Sequence, residues 1–313
     1  MPGEQVDIRD GELWLNGQML QKDWEQLAAI AVTVSEFPQH KVSHWWLGDP
    51  RGDETRLEAA DRVISSQGEL SVLLAAEQWL QWLYQRPARV HPDQVPRAQW
   101  MVASPLIDEL DCNQGIARIP HVVEDYWLSI GLASRPKGPA SVECSYRGMS
   151  FCIDLEPALP ASQPIVTETL ATGQQRIKVP MGRFVDVAFC DHRLLIRSDE
   201  AERILPWHEI VEIGQRDAIP GLVDGRGEII RISCRGAMMI HRLSIARDLH
   251  LLPEVTGNFS ASTTGSTGYF LLGDNLAVSA DSRGELGRVG SNRLLGRVRR
   301  SSEHPQSSAF SIR

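Results

Sequence analysis

Val142-Glu143-Cys144-Ser145-Tyr146-Arg147-Gly148-Met149-Ser150-Phe151-Cys152-Ile153-Asp154-Leu155 is the stretch whose reading decides the fold. Apolar side chains fill every second position into Arg147-Gly148 and every second position out of it, the period of a strand with one buried face. Two such runs joined by two residues read as a β-hairpin. The hairpin also places the thiols: Cys144 faces Phe151, and Cys152 points to the opposite side of the sheet. A Cys144–Cys152 disulfide is therefore disfavoured.

The same pattern recurs from about Pro120 to Leu252. Val185, Val187 and Phe189 lead to Asp191-His192, and Leu194 and Ile196 return; Ile230, Ile232 and Cys234 reach Arg235-Gly236, and Met238 to Ile245 follow. Each run is apolar on one side, so two sheets packed face to face would bury them. Residues 119–253 are expected to form a β-sandwich. Upstream, Lys22 to Val34 reads as a helix with Trp24, Leu27, Ala28 and Ala31 on one side and Asp23 near its start. Residues 44–118 are rich in tryptophan and read as a connecting region. Core packing is the expected role of those rings, with sugar or peptide stacking as the alternative. Asp108, Glu109 and Asp111 offer too few ligands for a calcium loop and read as a solvated or locally capped turn.

Composition narrows the function classes. The 313 residues are 42% hydrophobic and 23% charged, with a formal net charge of −8. This is an ordinary folded composition, and its sign argues against nucleic acid as a main partner. The basic run Arg297, Arg299 and Arg300 reads as a solvated end. Five cysteines, Cys112, Cys144, Cys152, Cys190 and Cys234, are scattered without metal-site spacing, so reduced thiols are expected and no metal or cofactor. No run approaches 18 apolar residues and no leader pattern opens the sequence, so as written the chain is expected in the cytoplasm.

Near the C-terminus, Tyr269 to Leu272 runs into Gly273-Asp274-Asn275, followed by Ser279, Asp281-Ser282-Arg283 and Gly287. Physically this is a strand entering a tight turn, then a hydroxyl, a carboxylate and a guanidinium in close order. The spacing resembles the C-terminal signature of type I signal peptidases, with Leu276 where that family usually has arginine. Met1-Pro2-Gly3-Glu4, followed by the alternating Val6, Ile8, Leu13 and Leu15 around a turn at Asp10-Gly11 and ending at Asn16-Gly17, is similar to the segment after the family's catalytic lysine. In between, Pro105-Leu106-Ile107-Asp108 with Asn113, Val185 to Leu194, and His241 to Asp248 resemble pieces of the large insertion in planctomycete members.

The resemblance implies a partial signal-peptidase β-barrel made by residues 1–43 and 269–298. A jelly-roll-like β-sandwich is inserted in it, with a short helical region, a flexible Ser/Thr/Gly connection at 254–268 and a disordered tail at 299–313. It implies Ser279 as the hydroxyl that orients the catalytic lysine, Asp281 and Arg283 as a supporting ion pair, and Asp274 with Asn275 as the turn that holds it. The family's nucleophilic serine and lysine base have no counterpart here: Lys22, Lys41, Lys137 and Lys178 do not stand in the motif. Three readings follow. One is part of a membrane-anchored enzyme acting on signal-peptide-bearing precursors on the outer side of the membrane. The second is a noncatalytic relative whose sandwich binds a protein or glycan. The third is a decayed or split gene product.

Overall fold

The computed structural model describes residues 5–9, 11–37, 45–48, 54–56, 62–64, 70–87, 101–103, 106–108, 121–134, 136–147, 149–157, 164–170, 175–180, 182–199, 201–213, 228–249, 251, 259–261, 269, 271, 282, 289–293, 298–300 and 310–312. The chain divides into two compact units, one of residues 1–21, 110–117 and 250–313, the other of residues 22–109 and 118–249.

In chain order the elements are β1 (Val6–Arg9), β2 (Glu12–Leu15), β3 (Gln18–Met19), α1 (Trp24–Ile30), β4 (Val32–Phe37), β5 (Trp45–Gly48), β6 (Glu54–Arg56), β7 (Arg62–Ile64) and β8 (Leu70–Leu74). Then come β9 (Trp79–Leu83), β10 (Gln85–Pro87), β11 (Met101–Ala103), β12 (Tyr126–Leu132), β13 (Ala140–Tyr146), β14 (Met149–Glu156), β15 (Val166–Thr169), β16 (Gln175–Pro180) and β17 (Phe184–Cys190). The last are β18 (Arg193–Ser198), β19 (Glu202–Pro206), α2 (Trp207–Ile213), β20 (Glu228–Cys234), β21 (Met238–Arg247), β22 (Phe259–Ala261), β23 (Val298–Arg300) and β24 (Phe310–Ile312).

The larger unit is a sandwich of two eight-stranded sheets. The first runs β19-β18-β17-β12-β21-β8-β7, with β4 also paired to β21; the second runs β15-β16-β14-β13-β20-β9-β5-β6. Three pairs of consecutive strands, β8/β9, β12/β13 and β20/β21, each place one member in each sheet, and they lie side by side as β12-β21-β8 and β13-β20-β9. Ribbons that cross between sheets in this way give a jelly-roll-like sandwich. The β20 to β21 crossing passes close to another: a Cβ at Gly236 would stand 2.9 Å from the Gly138 nitrogen.

The register follows from alternation and turn chemistry. Tyr146 pairs with Met149 and Cys144 with Phe151, as the hairpin reading expects. Arg147, Asp191 and His192 adopt left-handed φ values of 50°, 48° and 57°, the geometry that lets a two-residue link follow the twist of its strands. Alternation then sends one set of side chains inward. Leu128, Ile130, Val142, Phe151, Ile153, Val187, Ile196, Ile232 and Ile240 join one buried core that spans both sheets. Cys144 lies in it, Cys152 faces away half-buried, and all four described cysteines are free thiols.

In the smaller unit, Val6 pairs with Leu15 and Ile8 with Leu13 between β1 and β2, and Asn16-Gly17, at φ 52° and 78°, turns β2 into β3, where Leu15 pairs with Gln18. β1 pairs on its other edge with β22.

Several expectations are corrected. The helix, capped at its start through Asp23 and Gln26, ends at Ile30, because Val32, Thr33 and Val34 are β-branched and fit the open edge of β21 instead. The sandwich begins at β4 rather than at residue 119, and the tryptophan-rich region contributes strands to both sheets. Trp45 and Trp82 are fully buried within it. Phe259–Ala261, in the expected flexible connection, is strand, since its backbone groups find partners on β1. Val298–Arg300 pairs with Phe310–Ile312 in the expected disordered tail. α2 interrupts the expected run of strands, with Ile210 and Ile213 buried. Of the acidic cluster, Asp108 is buried and its Oδ1 accepts the His121 N–H at 2.8 Å, which is a local cap; Glu109 and Asp111 lie outside the described residues.

Trp82→Ala is expected to cost about 3–5 kcal/mol of unfolding free energy in urea, the range for emptying an aromatic core site. Leu73→Ala, on a neighbouring strand but 44% exposed, should stay within about 0.5 kcal/mol.

Candidate functional site

Two faces of the sandwich point away from the core, and they are finished differently. On the second sheet, Arg176 pairs with Asp154 at 3.0 Å and Arg231 donates to Gln81 at 3.0 Å across neighbouring strands. On the first sheet the outward residues form three successive rows. The lowest is apolar: Leu195, Ala188, Trp127 and Ala246 are cross-strand neighbours. Trp24 and Leu27 of α1, with Ala31, pack onto Leu195, Ala188 and Trp127. The middle row is polar, running Glu202, Arg197, Asp186, Ser129, Ser244 and Glu36 from β19 to β4. The upper row is Phe184, Gly131 and Arg242.

The helix is held on the lower row by a buried ionic cluster. Asp191 is fully buried in the β17–β18 turn. Its Oδ2 accepts the Lys22 backbone N–H at 2.8 Å, and its Oδ1 pairs with the Lys22 ammonium. That ammonium also lies 2.9 Å from Asp248 Oδ2, and Arg193 donates to the Lys22 carbonyl at 2.5 Å. Asp125 closes the cluster, accepting the Asp191 N–H at 2.9 Å and the Tyr146 hydroxyl at 3.0 Å. Burial pushes the Asp125 carboxyl up from the usual carboxylate range, and burial, opposed by Lys22, pushes Asp248 up to about 6.

Above the helix the polar row is left open as a groove of 630 Å³. Its floor is Ser129, Gly131 and Asp186; Arg183, Arg197, His241 and Arg242 rise around it. A β-bulge supplies the last two. The pairing of β12 with β21 shifts between Gly131 and Leu132, which face Arg242 and Ile240. Ile240 and Leu243 both point into the core, so the two residues between them share the outward side. Gly131 makes room for the ring, since a Cβ there would lie 3.0 Å from His241 Cε1 and 3.0 Å from Arg242 Cβ. Asp199 builds the other wall by accepting the Arg183 N–H at 2.9 and 2.8 Å and the Phe184 N–H at 3.1 Å.

The electrostatics are unbalanced. Arg197 Nε donates to Asp186 Oδ2 at 2.7 Å, and its guanidinium stacks 4.4 Å from the Trp24 ring centre. Asp186 is 3% exposed, yet its Oδ1 has no partner among the described residues, and neither does the buried Nδ1 of His241. Such atoms cost free energy unless something arrives to bond them.

None of these groove residues was singled out as a site in the sequence. The two polar residues between Ile240 and Leu243 were a legible trace of the bulge, and Asp186 amid Val185 and Val187 a trace of the polar row. The residues expected to form a signal-peptidase-like site, Ser279, Asp281, Arg283, Asp274 and Asn275, lie outside the described residues. Their neighbour Ser282 is buried, and its Oγ accepts the Leu271 N–H at 2.8 Å while its own N–H donates to the Leu271 carbonyl at 2.9 Å.

No protein-family model and no curated protein matches the chain. Among solved structures it is similar to a Parabacteroides distasonis protein described as a glycosyl hydrolase, at 9% identity over 42% of this chain and 71% of that one, with a TM-score of 0.25. It is also similar to the family 7 alginate lyase A1-II′ in two structures, each at 10% identity over 66% of this chain and 95% of that one, with TM-scores of 0.28 and 0.25. Likenesses this distant carry no argument about a site.

The Asp248 carboxyl binds its proton more tightly in the folded chain than the roughly 3.9 of an unfolded aspartate. Its contribution to stability is therefore present at low pH and lost as pH rises from about 4 through about 6. Urea midpoints across that window should show a smaller fall with rising pH for Asp248→Asn than for the parent. Parallel pH curves would reject the shift.

Proposed function

We propose that the sandwich is a binding module and that the groove on its first sheet receives a saccharide. The observation that supports this most is the pair of buried, unpartnered polar atoms, Asp186 Oδ1 and His241 Nδ1, on the floor and wall of a 630 Å³ groove. An acceptor, an imidazole and the Ser129 hydroxyl at neighbouring positions suit a ligand that presents hydroxyl groups on several sides. Half-buried Phe184 adds an aromatic face beside them. The floor consists of paired strands, so these groups are positioned without reorganisation on binding.

Titration calorimetry of the full chain against a panel of soluble oligosaccharides should give saturable binding. Ser129→Trp, which fills the groove from an outward position, should abolish it without moving the melting temperature. Saccharide binding that survives Ser129→Trp places the ligand elsewhere, and the failure of every saccharide to bind rejects the reading.

A second reading concerns the flanking unit, which we propose to be related to signal peptidases, with the sandwich as its insertion and precursor proteins as the family's substrates. Two observations favour it: residues before and after the sandwich pair in one sheet through β1 and β22, and Ser282 is tied to Leu271. No described helix is long and apolar enough to cross a membrane. If Asp281 and Arg283 brace this turn, Asp281→Ala should speed hydrogen exchange of the Leu271 amide at least about tenfold, through loss of local protection. An unchanged exchange rate counts against the relationship.

A further inference from the structure

We infer that the saccharide is acidic, carrying carboxylates that Arg183 and Arg242 receive; this rests on the saccharide reading of the same groove. The groove is lined by three arginines, Arg183, Arg197 and Arg242, against one carboxylate, Asp186. Glu202, Asp199 and Glu36 stand at the groove's margins, so what sets these cations apart is their access to the groove and not a net positive charge. The three arginines differ in what they are free to do. Arg197 is committed, with Asp186 on its Nε and Trp24 beneath its plane.

Arg183 is positioned but not neutralised. Asp199 holds its backbone N–H, and its carbonyl accepts the Leu132 N–H at 2.7 Å. The side chain is exposed and has no partner among the described residues. Arg242 is 57% exposed on its side chain and stands 3.8 Å from Glu36, beyond hydrogen-bond range. An exposed pair of that length contributes little and yields readily to a better acceptor.

The two cations flank Gly131. Phe184, next to Arg183, and Arg242 are its partners on the two adjacent strands, so their backbones are two strand spacings apart, roughly 10 Å. Lining the same groove are Asp186, whose Oδ1 is an acceptor for a hydroxyl donor, and the His241 ring. A planar guanidinium bonds a carboxylate through two parallel N–H groups, which gives both affinity and orientation. The combination of exposed, at most weakly paired guanidinium forks at the rim with an unpartnered carboxylate oxygen at the floor selects a ligand that is both anionic and rich in hydroxyls. The carboxylate at the floor also disfavours an extended polyanion without hydroxyl donors.

The test uses the full chain, a soluble oligouronate, and the same oligouronate with its carboxyls reduced to alcohols. Calorimetry should show the acidic form binding at least about tenfold more tightly than the reduced form, with affinity falling as salt rises. Arg183→Gln and Arg242→Gln should each remove about tenfold or more for the acidic form and leave the reduced form unaffected. Arg176→Gln, the same charge change on the other sheet, should do nothing. Melting temperatures of Arg183→Gln and Arg242→Gln should match the parent, as both side chains are exposed. Equal binding of acidic and reduced forms, or binding indifferent to both groove arginines, overturns the acidic inference while the saccharide reading stands. Failure of both forms and of every neutral saccharide overturns both. Binding of a short single-stranded DNA through the same arginines, with no oligouronate bound, overturns the inference in favour of a phosphate ligand.

Discussion

A single buried carboxylate governs how the outer face of the first sheet is divided. Asp191 sits in a tight turn with no exposed surface and binds both the backbone N–H and the ammonium of Lys22. A buried charge is tolerable only when paired and hydrogen-bonded, so the residue preceding the helix cap has essentially one place to be. From that point α1 runs over Leu195, Ala188 and Trp127 and covers the apolar row. The helix is seven residues long, too short to persist on its own propensity. Its capping box and the ionic anchor at its start compensate, and its buried Trp24 and Leu27 do the rest.

The groove is what the helix leaves uncovered. Where α1 ends, the next row is polar, and nothing in the described part of the sandwich lies across it. Arg197 stands at the boundary: its guanidinium lies over Trp24 of the helix while its Nε bonds Asp186 of the groove floor. The helix and the groove are thus connected by one side chain. The bulge at His241 and Arg242 acts on the other side. It lets β21 keep Ile240 and Leu243 in the core while presenting two polar residues in succession to the outside. A regular strand would have turned one of them inward.

Much of the sandwich was legible beforehand because alternation is a local property. Val142 to Leu155 carries its own register, and the pairing of Cys144 with Phe151 follows from two residues of turn. The thiols follow with it, Cys144 inward and Cys152 outward. Less legible were elements whose fate depends on a distant edge. Val32 to Val34 continue a helical pattern in sequence, yet Val32–Phe37 is strand because β21 has an edge to fill. Phe259–Ala261 reads as a linker by composition, yet β1 offers it a ladder.

The sequence by itself determined that the protein is mainly β, that its core is built from alternating strands closed by two-residue turns, and that Cys144 and Cys152 stay apart. These follow from side-chain period and turn chemistry, which act over a few residues. Only the tertiary structure decided which strands share a sheet, which outward residues are covered by α1, and that Ser129, Asp186, Arg197, His241 and Arg242 stand around one groove. Those residues come from four strands separated by more than a hundred positions. Their meeting depends on cross-strand register and on which surface the helix leaves uncovered, neither of which is encoded in any one segment.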